Sequence, residues 1–202
     1  MQPKVFRSTA ARVIAWAWLV FAAANLVDIA FRGHDLAGMV AATVLLLGSG
    51  IAYVLGLRPR IVADEAGVRL HNPLRDVRVP WPAIRTIDAT ESVRVSYAAE
   101  DGEERRVGAW AMQTSPRARA RAQRRSRSRS AGGDVPKAVA EYASNRTPAD
   151  YVADQLSELA AASRTEAPYE GRPSVTWSKP ALAALAVPAG LLAVLVLLAT
   201  LT

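Results

Sequence analysis

The stretch LAGMVAATVLLLGSGIAYVLGL, Leu36 to Leu57, carries twenty-two residues and no charge. A bilayer core of about 30 Å takes about 20 helical residues, so this stretch is long enough to span one. Working outward, Val13–Phe31 is a nineteen-residue apolar run broken only by Asn25 and Asp28. Residues 180–202 hold a third run, uncharged from Pro180 to Leu201. These runs predict an integral membrane protein with an N-terminal hairpin over residues 1–57 (spans 13–31 and 36–57) and a C-terminal span. The first run exceeds the apolar core of a cleaved signal peptide, about 7–15 residues, and is read as a retained span.

Charge at the flanks sets the expected orientation. Lys4, Arg7 and Arg12 precede the first run, Arg58 and Arg60 follow the second, and Arg172 and Lys179 precede the third. Basic flanks stay inside during insertion. The expectation is a multi-pass bacterial inner-membrane protein whose soluble insert faces the cytoplasm.

The chain has 202 residues, no cysteine and a formal net charge of +7. Without cysteine there is no disulfide framework and no thiolate chemistry. The positive charge has one source: Arg117, Arg119, Arg121, Arg124, Arg125, Arg127 and Arg129. Removing these seven leaves eighteen basic against eighteen acidic residues. This tract is expected to contact anionic lipid, where each basic side chain contributes about 1 kcal/mol. Nucleic acid is disfavoured, because no aromatic residue interleaves the tract to stack on bases.

Between the spans the texture is first β. Val68 and Leu70 alternate with Arg69 and His71; Val77 and Val79 alternate with Asp76 and Arg78; Val93, Val95 and Tyr97 alternate with Arg94 and Ser96. Period-two patterning with β-branched residues reads as half-buried strands. Asp64-Glu65-Ala66-Gly67 and Asp101-Gly102 supply hairpin turns, and Asn72-Pro73 breaks a strand. About six strands are expected over residues 58–112. Residues 113–135 read as a disordered tract, since Ser115–Gly133 holds no large apolar side chain. Helical signals return over 136–165, with a short helix from Pro136 and a longer one at Pro148–Ser163. The latter begins at Thr147-Pro148-Ala149-Asp150 with an N-cap and an N1 proline. Residues 166–179 read as a linker.

Together, Asp64…Gly67-Val68-Arg69-Leu70…Asn72, the segment Val79-Pro80-Trp81-Pro82-Ala83-Ile84 and the Asp101-Gly102 hairpin resemble a bacterial pleckstrin-homology (PH-like) domain. The resemblance is to small membrane-anchored PH proteins of high-GC bacteria and covers roughly residues 58–110. It implies a bent β-sandwich or half-barrel closed by a C-terminal helix, with Trp81 and Ile84 in its core. The helix would be Pro148–Ser163 or the shorter one before it. The first hairpin is acidic, which argues against phosphoinositide recognition there.

No catalytic motif occurs, and His34 and His71 are expected on opposite sides of the membrane. Neither a cofactor nor a metal site is expected, and the chain is read as non-enzymatic. Asp28 lies four residues before Arg32 and reads as an interfacial ion pair. Asn25 reads as an interhelical hydrogen bond, and Trp16 and Trp18 as interfacial anchors. Gly48, Ala52 and Gly56 recur every four residues and permit close helix packing, either within one chain or in a homo-oligomer. Ala186 and Gly190 repeat that spacing in the third span. The functional expectation is a scaffold or accessory subunit contacting anionic lipid and an unidentified membrane or cytoplasmic protein. The alternatives are a transporter- or channel-associated component and a membrane-tethered nucleic-acid binder.

Overall fold

Alternating side chains in the insert and unbroken apolar runs on either side of it produce two kinds of structure. The computed structural model describes residues 3–33, 35–90, 92–99, 101–113, 147–163 and 171–201. The arginine tract, the helix expected from Pro136 and His34 lie outside the described residues. The chain divides into two compact units.

The first unit comprises Met1–Arg7, Arg60–Leu70 and Val77–Val175. The strands are β1 (Lys4–Phe6), β2 (Arg60–Asp64), β3 (Gly67–His71), β4 (Arg75–Pro80), β5 (Ile84–Ala89), β6 (Ser92–Ala98), β7 (Glu104–Gln113) and β8 (Ser174–Trp177). One sheet runs in the order β1-β2-β3-β4-β8 and the other in the order β5-β6-β7. β1 pairs antiparallel with β2, placing Lys4 opposite Ala63, Val5 opposite Val62 and Phe6 opposite Ile61. Register shifts between Ile84 and Thr86, and between Ser92 and Arg94, mark irregularities that bend the second sheet.

Val68, Leu70, Val77, Val79, Val93, Val95 and Tyr97 are buried in one core, while Arg69 and Arg94 point outward. That is the alternation the sequence predicts for sheets with one wet face, except at Ser96, which is buried between Val95 and Tyr97. The closing helix is Pro148–Ser163, packed on β5, β6 and β7 with Val152, Leu156 and Leu159 inward. Its start is fixed reciprocally: Thr147 N and Oγ1 donate to Asp150 Oδ2 at 2.6 and 2.7 Å, and Asp150 N donates back to Thr147 Oγ1 at 3.3 Å.

Two strands were not expected. β1 lies within the predicted N-terminal segment, and β8 lies within the predicted linker. Both are three or four residues long, too short for a periodic signal, and each exists because a neighbouring strand offers its edge.

The second unit comprises Ser8–Pro59, His71–Asp76 and Thr176–Thr202. It holds α1 (Thr9–Arg32), α2 (Leu36–Ala52) and the long C-terminal helix Lys179–Leu201. Counting Pro148–Ser163 as α3, that last helix is α4. A π-helical turn, Tyr53–Leu57, continues α2 and closes with Arg58 N donating to Tyr53 O at 2.9 Å. Thr9–Arg32, Leu36–Leu57 and Lys179–Leu201 are each long and apolar enough to cross a membrane. The ends are capped by side chains, Ser8 Oγ accepting from Ala11 N at 3.3 Å and Asp35 Oδ1 from Gly38 N at 2.8 Å. Within α2, Thr43 and Ser49 donate to the carbonyls of Met39 and Leu45, both at 2.8 Å, so their hydroxyls are satisfied inside the helix.

Candidate functional site

Asn72-Pro73 breaks the strand pattern because proline lacks an N–H and pushes its predecessor out of the helical region. The result is a turn in which Asn72 N donates to Arg75 O at 2.9 Å. His71 and Asp76 stand at the two ends of this turn, and His71 Nδ1 lies 2.7 Å from Asp76 Oδ1. Arg58 completes the cluster. Its Nη2 donates to both Asp76 oxygens at 2.7 Å, and its Nη1 donates to the carbonyls of Asn72 and Pro73, the latter at 3.2 Å. Arg58 is only 8% exposed. A buried guanidinium is tolerated when its donors and its charge are both answered, and here one carboxylate and two carbonyls answer them.

The same turn holds the start of α4. Ser178 N donates to Leu74 O at 2.9 Å, and the buried Ser178 then serves as cap, its Oγ accepting from Ala181 N at 3.4 Å and its carbonyl from Leu182 N at 3.0 Å. The guanidinium carbon of Arg75 sits 4.2 Å from the centroid of the Trp177 ring. The segment His71–Asp76 therefore bonds to the residue ending one apolar helix and to the residue opening another, all inside the second unit. Chemically this is a clamp with an exposed cation–π pair at its tip. Among the described residues, no group of three or more His, Cys, Asp or Glu side chains could hold a metal ion.

Trp81 and Ile84 lie in the β core, 2% and 3% exposed. Trp81 Nε1 donates to Asp64 O at 2.9 Å. Asp64 itself organises the first hairpin: its Oδ1 accepts from Ala66 N and Gly67 N at 3.0 and 3.1 Å, and its Oδ2 pairs with Arg69 at 2.9 Å. Gly67 has φ +152°, and a Cβ there would overlap the Val79 carbonyl, so the hairpin requires glycine.

In the second unit, a Cβ on Gly48 would strike the Trp18 ring, and one on Gly56 would strike Ala15. Gly48 and Gly56 thus pack against α1 of the same chain, while Gly50 meets the Ala184 carbonyl of α4. Ala52 lines a groove of about 460 Å³ with Ala11, Ile14, Ala15, Trp18 and Gly48 among its walls. Gly190 has open space around it. One expectation is corrected here. Asn25 does not bridge helices; its Nδ2 donates to Phe21 O of its own helix at 2.8 Å, the low-cost partner one turn back. Trp18 rests on Gly48, whose missing Cβ leaves room for its ring. Asp28 and Arg32 do pair, at 3.2 Å, on an exposed helix face.

Sequence reasoning missed the Arg58–Asp76–His71 cluster. Arg58 was read only as a flanking charge, although an arginine placed before a strand with its counter-ion in a nearby turn was the available signal.

Residues 58–129 match the family model described as a bacterial PH domain. No curated protein and no solved structure matches the chain. The matched segment begins at Arg58 and takes in β2 through β7, whereas β1, α3 and β8 lie outside it. The chain therefore carries a bacterial PH domain, together with three helices long and apolar enough to cross a membrane.

Proposed function

We propose that the protein is a non-enzymatic, multi-pass component of the bacterial inner membrane that presents its PH domain to the cytoplasm as a scaffold or accessory subunit. Its partners in this reading are anionic lipid and a membrane or cytoplasmic protein. The observation that carries it is the clamp at His71–Asp76, which links one turn of the PH-type strands to the ends of two candidate spans. A turn bonded at the ends of two apolar helices suits a structural part better than a catalytic one. Asp28 gives the transport alternative little support, since it is 61% exposed and already paired with Arg32.

The test is photocrosslinking in native membranes. A photoreactive residue replaces the exposed Trp110 on β7 or, separately, the exposed Arg85 on β5. Discrete protein adducts identified by mass spectrometry are expected from at least one position. Adducts to lipid alone, or none, would overturn the scaffold reading.

A further inference from the structure

We propose that Arg75 and Trp177 form a binding site for the phosphate headgroup of an anionic phospholipid at the membrane boundary. The inference rests on the reading that α2 and α4 span a membrane. Trp177 lies two residues before Lys179, where α4 begins. The first residues of a span sit at the boundary between headgroups and acyl chains, the depth that tryptophan prefers. Trp177 is 55% exposed although it is large and apolar, and an exposed ring at that depth faces lipid instead of water.

Arg75 supplies the chemistry. Its guanidinium carbon lies over the indole, 4.2 Å from the ring centroid, within cation–π range. A cation–π contact uses no oxygen acceptor, so the fork's N–H groups can meet two phosphate oxygens. The charges within the turn favour an anion there. Asp76 is occupied by Arg58 and His71, so the turn's carboxylate does not neutralise Arg75. Arg58 is itself buried and committed to Asp76, Asn72 and Pro73, which excludes it as the lipid ligand.

Position is fixed as well as chemistry. The bond from Ser178 N to Leu74 O sets the height of the turn by the start of α4. Arg58, directly after the π-turn that ends α2, sets it from the other side. Arg75 is thus held at the level of two span ends, where a headgroup phosphate would lie.

The experiment uses the full chain in lipid nanodiscs. The difference in fluorescence between the native protein and Trp177→Phe isolates the Trp177 signal. Bromine placed on the upper acyl positions of phosphatidylglycerol should quench it several-fold more than the same bromine on phosphatidylcholine at equal mole fraction. Arg75→Gln should remove that preference, and Arg75→Lys should keep part of it. Equal quenching by the two lipids, or quenching by aqueous acrylamide alone, would overturn the site. Trp16 and Trp18 of α1 report separately: if bromines at no acyl depth quench them, the spanning reading itself has failed. Native mass spectrometry gives a readout that does not depend on Trp177→Phe. The native protein should retain phosphatidylglycerol several-fold better than Arg75→Gln, and equal retention would refute the proposal.

Discussion

Trp81 Nε1 donates to the carbonyl oxygen of Asp64 at 2.9 Å, so the indole that fills the β core also holds the first hairpin in place. Trp81→Ala removes both functions and should cost about 3–5 kcal/mol. Trp81→Phe keeps most of the ring but orphans the Asp64 carbonyl, at about 1–3 kcal/mol. Denaturant titration of the full chain in detergent, followed by circular dichroism, should rank the variants native, Phe, Ala. An unchanged Ala midpoint would remove Trp81 from the core.

Gly67 and Gly102 both have positive φ, +152° and +79°, but only Gly67 faces a neighbouring carbonyl. Gly102→Ala should therefore cost about 1–2 kcal/mol, the conformational penalty alone. Gly67→Ala must also displace Val79 O and should lower the melting temperature by clearly more. Equal shifts would show that the β4 backbone yields at no cost.

The Arg58–Asp76 pair lies between buried and exposed, at 8% and 34%. Buried pairs lose about 3–5 kcal/mol on truncation and exposed pairs about 0–1, so Asp76→Asn should cost about 2 kcal/mol. Arg58→Lys should be little better than Arg58→Met, since one ammonium cannot serve a carboxylate and two carbonyls with a fixed fork. Thermal unfolding in detergent measures both. A fully stable Lys variant would contradict the clamp.

The basic flanks predict a cytoplasmic PH domain. Alkaline phosphatase fused after Thr90 should be inactive and a fluorescent protein at the same site bright. The reverse pattern would place the PH domain outside.

If the arginine tract contacts lipid by charge alone, a peptide of residues 113–135 should bind vesicles containing phosphatidylglycerol and not neutral ones. Scrambling its order should change little. Replacing Arg117 through Arg129 with glutamine should abolish binding, and raising salt above physiological strength should weaken it as the Debye length falls below about 8 Å. Binding to neutral vesicles of equal strength would leave the tract without an electrostatic role.

The three apolar helices were legible because length and absence of charge suffice to recognise them. So were the strands carrying Val68, Leu70, Val93 and Val95, where period two meets one buried face. The cap at Thr147 and Asp150 was legible because it is local, with its partners three residues apart. What stayed hidden was non-local. β1 and β8 are too short to show a period, and each depends on a partner far away in the chain. Arg58 and Asp76 are eighteen residues apart, and no spacing rule joins the end of a span to a strand turn. Gly48 could be read as a close-approach site, but only the structure names Trp18 as what approaches.

The pairing of Lys4–Phe6 with Ile61–Ala63 carries a consequence of parity. Two backbones hydrogen-bonded to each other must occupy the same side of a bilayer, and between them lie α1 and α2. A chain that leaves a compartment and returns to it crosses an even number of times, so both helices cross or neither does. Insertion of one helix without the other would separate the two strands by a bilayer core of about 30 Å. During synthesis, β1 emerges before either helix and has no partner until β2 follows the second. Closure of this short ladder is therefore possible only where the two intervening helices have both crossed or both stayed.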